Sequence, residues 1–219
     1  MTTTPRGVRW LAAPLVAALF VLGVWVAGGQ ITDSFRGAMA LTAAWVVVFG
    51  AGCAALAVRR RRLRLPVLGA FALSAALMGG FLAWSTLRDK VVHERVAIGA
   101  PASAHPATGN VELRRGAFES LEHASRGEAR VVELAGGPRV LTLTRFSTSP
   151  GPDLRVRIVP GDSSNGSADG ARDLGALKGN KGDQQYDLPA RLDLRRYTSV
   201  VIWCRAFSAG FARASLVPA

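Results

Sequence analysis

Hydrophobic and polar positions divide the chain near residue 90. Before that point three long apolar runs follow one another with short polar breaks, Val8–Gly29, Gly37–Val58 and about Leu65–Thr86. Each is long enough for a membrane-spanning helix, which needs about 20 residues. Beyond it the apolar runs shorten and alternate with polar positions between turn signals, the pattern of an all-β domain. Strands are predicted over Val111–Ser120, Glu128–Leu134, Arg139–Phe146, Leu154–Val159, Leu174–Leu177 and Gln184–Leu188, and the stretch Tyr197–Leu216 supplies the last two, with a break near Ser208 to Gly210. Gly116 reads as a bulge or a point of close approach. The organisation expected is a three-helix membrane anchor over 1–87, a Gly/Ala/Pro-rich linker over 88–110 and a β-sandwich over 111–219.

The most strand-like run is Val200–Trp203, β-branched or aromatic throughout. Alternation places Val200, Ile202, Cys204 and Ala206 on one face, assigned to the core, and Val201, Trp203, Arg205 and Phe207 on the other.

Charge sharpens the division. The net charge is +12, but residues 1–90 hold ten Lys/Arg against two acids and residues 91–219 hold seventeen against thirteen. The excess flanks the apolar runs, and no basic stripe interleaved with aromatics is present, which argues against nucleic acid as a partner. Arg59, Arg60, Arg61, Arg62 and Arg64 fill the break between the second and third runs. Short loops rich in Lys/Arg stay cytoplasmic. Working outward, the N-terminus is expected in the cytoplasm with Arg6 and Arg9, and the 30–36 loop and the chain after residue 87 outside. The C-terminal domain is thus extracytoplasmic, in the cell envelope. A cleaved leader is the rival reading of the first run, whose length exceeds the roughly 7–15 residues of a leader's apolar core. No Asp, Glu, His or Lys interrupts the middle of a run, which argues against an ion or proton pathway. The bilayer is the first partner implied.

Two cysteines exclude a disulfide framework. Cys53 lies in the second run and reads as a small packing residue, allowing close helix contact with its neighbouring Gly and Ala residues. His93 and His105 fall in the linker and read as solvated. Asp153, Asp183, Asp187 and Asp193 sit near turns or strand ends and read as capping or solvated acids.

The segments GAFESLEHASRGEARVVEL (116–134), GPDLRVRIV (151–159), DLGALKGNKGDQQYDLP (173–189) and YTSVVIWCRAFSAGFARASL (197–216) together resemble the DM-thirteen domain, a small β-rich extracytoplasmic module. The resemblance covers about residues 111–217. It implies an electron-transfer role centred on the cysteine of the last block, here Cys204, as a bare thiol or as the holder of a prosthetic group. His123 matches the family's histidine after the first strand. Where the family often has Thr-Ser-Gly beyond it, this chain reads Ser125-Arg126-Gly127, a departure that touches the turn rather than the cysteine.

Two functions stay open. In one, Cys204 is a redox thiol working with a redox partner at the membrane surface. In the other, the domain is a non-enzymatic envelope module that binds a ligand or partner, and Cys204 is a small buried hydrophobe, as free cysteines often are. Neither is a conventional enzyme. Cofactor chemistry is constrained: there is no Cys-x-x-Cys-His for covalent haem, and no methionine follows Met78. A Cys204–His123 pair has donor atoms suited to copper or haem iron, but two ligands do not specify a metal.

Overall fold

The structure is a computed structural model that describes residues 8–32, 34–102 and 109–219. Arg6 and His105 therefore lie outside the described residues, as does the middle of the expected linker. The chain forms two compact units, Met1–Trp84 and Ser85–Ala219.

The first unit holds α1 (Ala12–Gly29), preceded by a 3-10 turn, Val8–Leu11, then α2 (Phe35–Arg59) and α3 (Arg64–Leu87), preceded by a second 3-10 turn, Arg61–Leu63. Ser34 caps α2, its hydroxyl accepting from the Gly37 N–H at 3.5 Å. All three helices are long and apolar enough to cross a membrane. They meet at a small cluster of Val16, Cys53 and Val67, so Cys53 is a packing residue here. Aromatic rings fill the space that glycines leave: a side chain at Gly23 would overlap Trp45, and one at Gly50 would press on Phe71 at 2.8 Å. Much large apolar surface faces outward, including Leu15, Trp25, Val47, Val48, Leu77 and Phe81.

The second unit is a curled sheet. Its strands are β1 (Val91–His93), β2 (Ala100–Pro101), β3 (Val111–Ser120), β4 (Arg126–Glu133), β5 (Arg139–Ser147), β6 (Leu154–Pro160), β7 (Arg172–Ala176), β8 (Lys181–Asp187), β9 (Tyr197–Cys204), β10 (Ala209–Ser215) and β11 (Val217–Pro218). The order β1-β8-β5-β4-β3-β10-β9-β6-β7 is unbroken, with β2 and β11 also paired to β3. The expected sandwich of two separate sheets is thus one sheet that curls through β3, whose early residues pair with β4 and whose last three pair with β10. A side chain at Gly116, midway along β3, would run into the Ser215 backbone, so this is a close-approach point. The curl encloses Leu141, Leu143, Phe146, Val156, Ile158, Ile202 and Phe211, all essentially buried. Burial of one such side chain contributes about 1.5–3 kcal/mol.

The expected linker is corrected in its first half. Residues 89–97 are strapped along β8 rather than loose. β1 pairs with β8 in parallel. The Lys90 N–H donates to Asn180 Oδ1 at 2.7 Å, Asn180 donates to Asp89 at 2.8 Å, and the Ala97 N–H donates to Gln185 Oε1 at 2.8 Å. Gly182 has φ +101, and a Cβ there would collide with the Val92 carbonyl, so glycine is what admits the strap.

Candidate functional site

Cys204 ends β9, where it pairs with Leu154 of β6 and Ala209 of β10. A four-residue turn, residues 205–208, then reverses the chain, and Ser208 adopts a left-handed conformation, φ 46, to close it. This turn corrects the face assignment beyond Cys204. Strand alternation stops with the strand, so Ala206, expected in the core, is exposed, and Phe207 is buried. The opposite face of β9 is buried too. Val201 and Trp203 pack with Val159 beneath the loop that follows β6. That loop is held down by hydrogen bonds to its carbonyls: Arg157 Nη1 to Gly166 O at 2.6 Å, Ser199 Oγ to Gly161 O at 2.8 Å, and the Tyr197 hydroxyl to Gly170 O at 2.8 Å.

The thiol of Cys204 is fully buried. Burial pushes its pKa up to about 11, against the pull of backbone N–H groups of Phe207, Asp153 and Ala206 that point at the sulfur. At neutral pH Cys204 is therefore a protonated thiol, and the thiolate that attacks disulfides or binds metals is scarce. Arg205, the next residue, is tied to Asp153. The Arg205 N–H donates to Asp153 O at 3.0 Å, and Arg205 Nε meets Asp153 Oδ2 at 2.7 Å. Arg205 is 60% exposed, so this ion pair contributes little, of the order of 0–1 kcal/mol.

His123 lies in the turn after β3. Its ring stacks on Phe211 with centroids 3.9 Å apart, and Ser125 Oγ donates to its carbonyl at 3.0 Å. Burial holds its imidazole below the ordinary value, opposed by the nearby Glu122 carboxylate, which favours the neutral ring at neutral pH. Phe211 is the extra residue of a bulge in β10. A side chain at Gly151 would touch both the tip of Phe211 and Leu154, the register partner of Cys204. His123 and Cys204 thus flank one aromatic–aliphatic neighbourhood. His123 stacks on Phe211 and its carbonyl accepts from Ser125, while backbone N–H groups of Asp153, Ala206 and Phe207 point at the Cys204 sulfur.

The residues do not fit the copper or haem site that this pair suggested. Among the described residues no three His, Cys, Asp or Glu side chains gather where a metal ion could sit. The sulfur is also sealed by the turn that would have to admit the group.

A polar cluster escaped the sequence. Gln184 is fully buried in β8, and its Oε1 accepts from the Lys178 N–H at 3.1 Å, the Gly179 N–H at 3.2 Å and the Tyr186 hydroxyl at 2.8 Å. Its Nε2 donates to Gly179 O at 2.8 Å, so one amide builds the whole turn before β8. Beside it, Lys178 Nζ donates to both carboxylate oxygens of Glu94 at 2.8 and 2.9 Å, and the ammonium lies 5.2 Å from the Tyr186 ring centre. The Lys178 hydrogen bond holds the Glu94 carboxyl below its usual range. Burial pushes the Tyr186 phenol up to about 12. The run of polar residues in KGDQQYD was the only available signal, and it does not show which amide is buried. The single acids behave as local partners: Asp153 clasps Arg205, Asp183 accepts from the Arg145 N–H at 2.6 Å, and Asp193 from the Arg195 N–H at 2.9 Å.

The fold and site define a small single-cysteine β domain carried after an apolar helical unit. Residues 117–216, in the C-terminal domain, match the family model described as Electron transfer DM13. The match contains the resembling segments except Gly116 and leaves the helices outside. No curated protein and no solved structure matches the chain.

Proposed function

We propose that the three helices anchor the chain in the cell membrane as a multi-pass protein. The N-terminus is cytoplasmic, and the electron-transfer domain stands in the extracytoplasmic envelope, where Cys204 exchanges electrons with a partner protein's disulfide: once deprotonated, its sulfur attacks one partner sulfur, the partner S–S bond breaks, the other partner sulfur leaves as the reduced thiol, and Cys204 is left oxidised in a mixed disulfide. The match of residues 117–216 to an electron-transfer family carries this reading. The five-arginine break between α2 and α3 supports the orientation. Cys204 works only when the 205–208 turn lifts. Its sealed, protonated state protects it from adventitious oxidation, and the Arg205–Asp153 clasp is weak enough to open. With Cys53 the only other cysteine and placed in a helix of the first unit, any disulfide of Cys204 joins a second protein.

One observation favours a second reading. A fully buried thiol is what a purely structural cysteine in a partner-binding module would show. Incubation of the full-length Cys53→Ala protein in detergent with glutathione disulfide, beside Cys53→Ala/Cys204→Ser, separates the two. A mixed disulfide that forms on Cys204 under native conditions with release of one glutathione thiol, and that dithiothreitol reverses, supports the first. A protein that forms none, and whose thiol reacts only upon global unfolding, supports the second.

A further inference from the structure

Between α1 and α3 lies an open apolar groove of about 330 Å³. Trp10, Ala13 and Ala17 form one wall, and Leu65, Gly69 and Leu73 form the other. The α3 wall repeats every four residues over two turns, so the groove runs roughly 12 Å along the helix. Its mouth at Leu65 directly follows the arginine run. Arg59, Arg60, Arg61, Arg62 and Arg64 are all exposed, and none makes an ion pair among the described residues. No acid of this unit stands near them in sequence. The only carboxylate residue in 1–84 is Asp33, 26 positions before Arg59 in sequence. Exposed guanidinium groups at the head of an apolar groove match one molecule in charge and shape.

We infer that this groove holds an acyl chain of one anionic phospholipid, whose phosphate is bound by the arginines of the α2–α3 connection. The inference rests on the membrane anchoring proposed above. Each Arg near a membrane surface adds about 1 kcal/mol of attraction to anionic headgroups. The groove turns that diffuse attraction into a defined site, because it fixes where the chain of the lipid lies.

Native mass spectrometry of the full-length protein in mild detergent, with added phosphatidylglycerol or phosphatidylcholine, tests this. One phosphatidylglycerol per chain is expected, held at least about tenfold more tightly than phosphatidylcholine. Arg60→Gln/Arg61→Gln/Arg62→Gln should weaken phosphatidylglycerol about tenfold or more. Gly69→Leu should do the same with unchanged helix content, because a side chain there enters open space rather than protein. Equal retention of the two lipids overturns the inference. So does full phosphatidylglycerol binding by Gly69→Leu, which would leave only diffuse attraction. A lipid-free dimer would give the groove to a second copy and equally overturn it. Alkaline carbonate extraction of membranes from expressing cells reads the anchoring separately. Release of the chain sinks the anchor itself, whereas retention without lipid preference sinks only the lipid site.

Discussion

The two units treat apolar surface and charge in opposite ways. In the helical unit, large side chains face outward (Val47 is 70% exposed, Leu77 66%), and the arginines after α2 are exposed with no ion pair among the described residues. In the sheet unit, Ile202, Val156 and Leu141 are wholly buried, and many arginines are engaged: Arg130 with Glu112 and Glu128, Arg155 and Arg157 with Asp173, Arg213 with Glu119 and Asp162. One surface has the composition and length of helices able to cross a membrane, and the other buries its apolar side chains in a core. The same residue type therefore carries different information in the two places. Under the proposed anchoring, an exposed Leu on a helix faces lipid, and the exposed arginines after α2 lie at the edge of that layer.

The comparison breaks most readily at the core. Ile202→Ala should destabilise the domain by about 2–5 kcal/mol in denaturant unfolding. Leu77→Ala, the same kind of truncation on α3, should leave that transition unmoved. Next in size, Leu77→Arg should cost roughly 3 kcal/mol of insertion, read as a loss of membrane-integrated protein after carbonate extraction. An equal yield would mean that this face of α3 does not meet lipid. A smaller effect is expected at the clasp. In the Cys53→Ala background, Asp153→Asn should raise the rate of Cys204 labelling by a thiol reagent about twofold to fivefold, since an exposed ion pair is worth at most about 1 kcal/mol. Labelling at the rate of global unfolding in both proteins would show that the turn does not open locally.

The smallest effect concerns His123. Burial lowers its folded pKa below the ordinary 6.5, so the unfolded chain takes up its proton first as the pH falls. Stability from this source is complete above about pH 6.5 and is lost as the pH drops through the folded value. His123→Gln should remove that part of the decline, seen by following the unfolding midpoint against pH. An unchanged slope would place the titration elsewhere.

Much of this arrangement was legible in the sequence because it depends on local periodicity. The apolar runs became α1 to α3, and the alternating runs became β3 to β10 at nearly the expected positions. Cys204 stood out as the one cysteine of the domain, and the structure places it at a strand end in the core. What stayed hidden depends on residues far apart. Val91–His93 looked like linker because its partners, Lys181–Asp183, lie 90 residues away. Alternation puts Trp203 on the face opposite the core set and says nothing about the loop that covers that face. Ala206 was placed inward because nothing local showed that the strand stops at Cys204 rather than two residues later. Gln184 looked like one more polar strand residue, although it organises the preceding turn from a buried position.

The central claim is that one chain spans two solvents, with its electron-transfer domain on the membrane face opposite the arginine run. Side-specific labelling of intact cells tests it most directly, using a membrane-impermeant thiol reagent on Ser167→Cys in the exposed loop after β6 and on Arg61→Cys between α2 and α3, each in a Cys53→Ala background. With Cys204 also replaced by serine in both proteins, labelling of Ser167→Cys in intact cells, with Arg61→Cys labelled only after permeabilisation, is the predicted result. Labelling of both positions in intact cells, or of neither until permeabilisation, would contradict it.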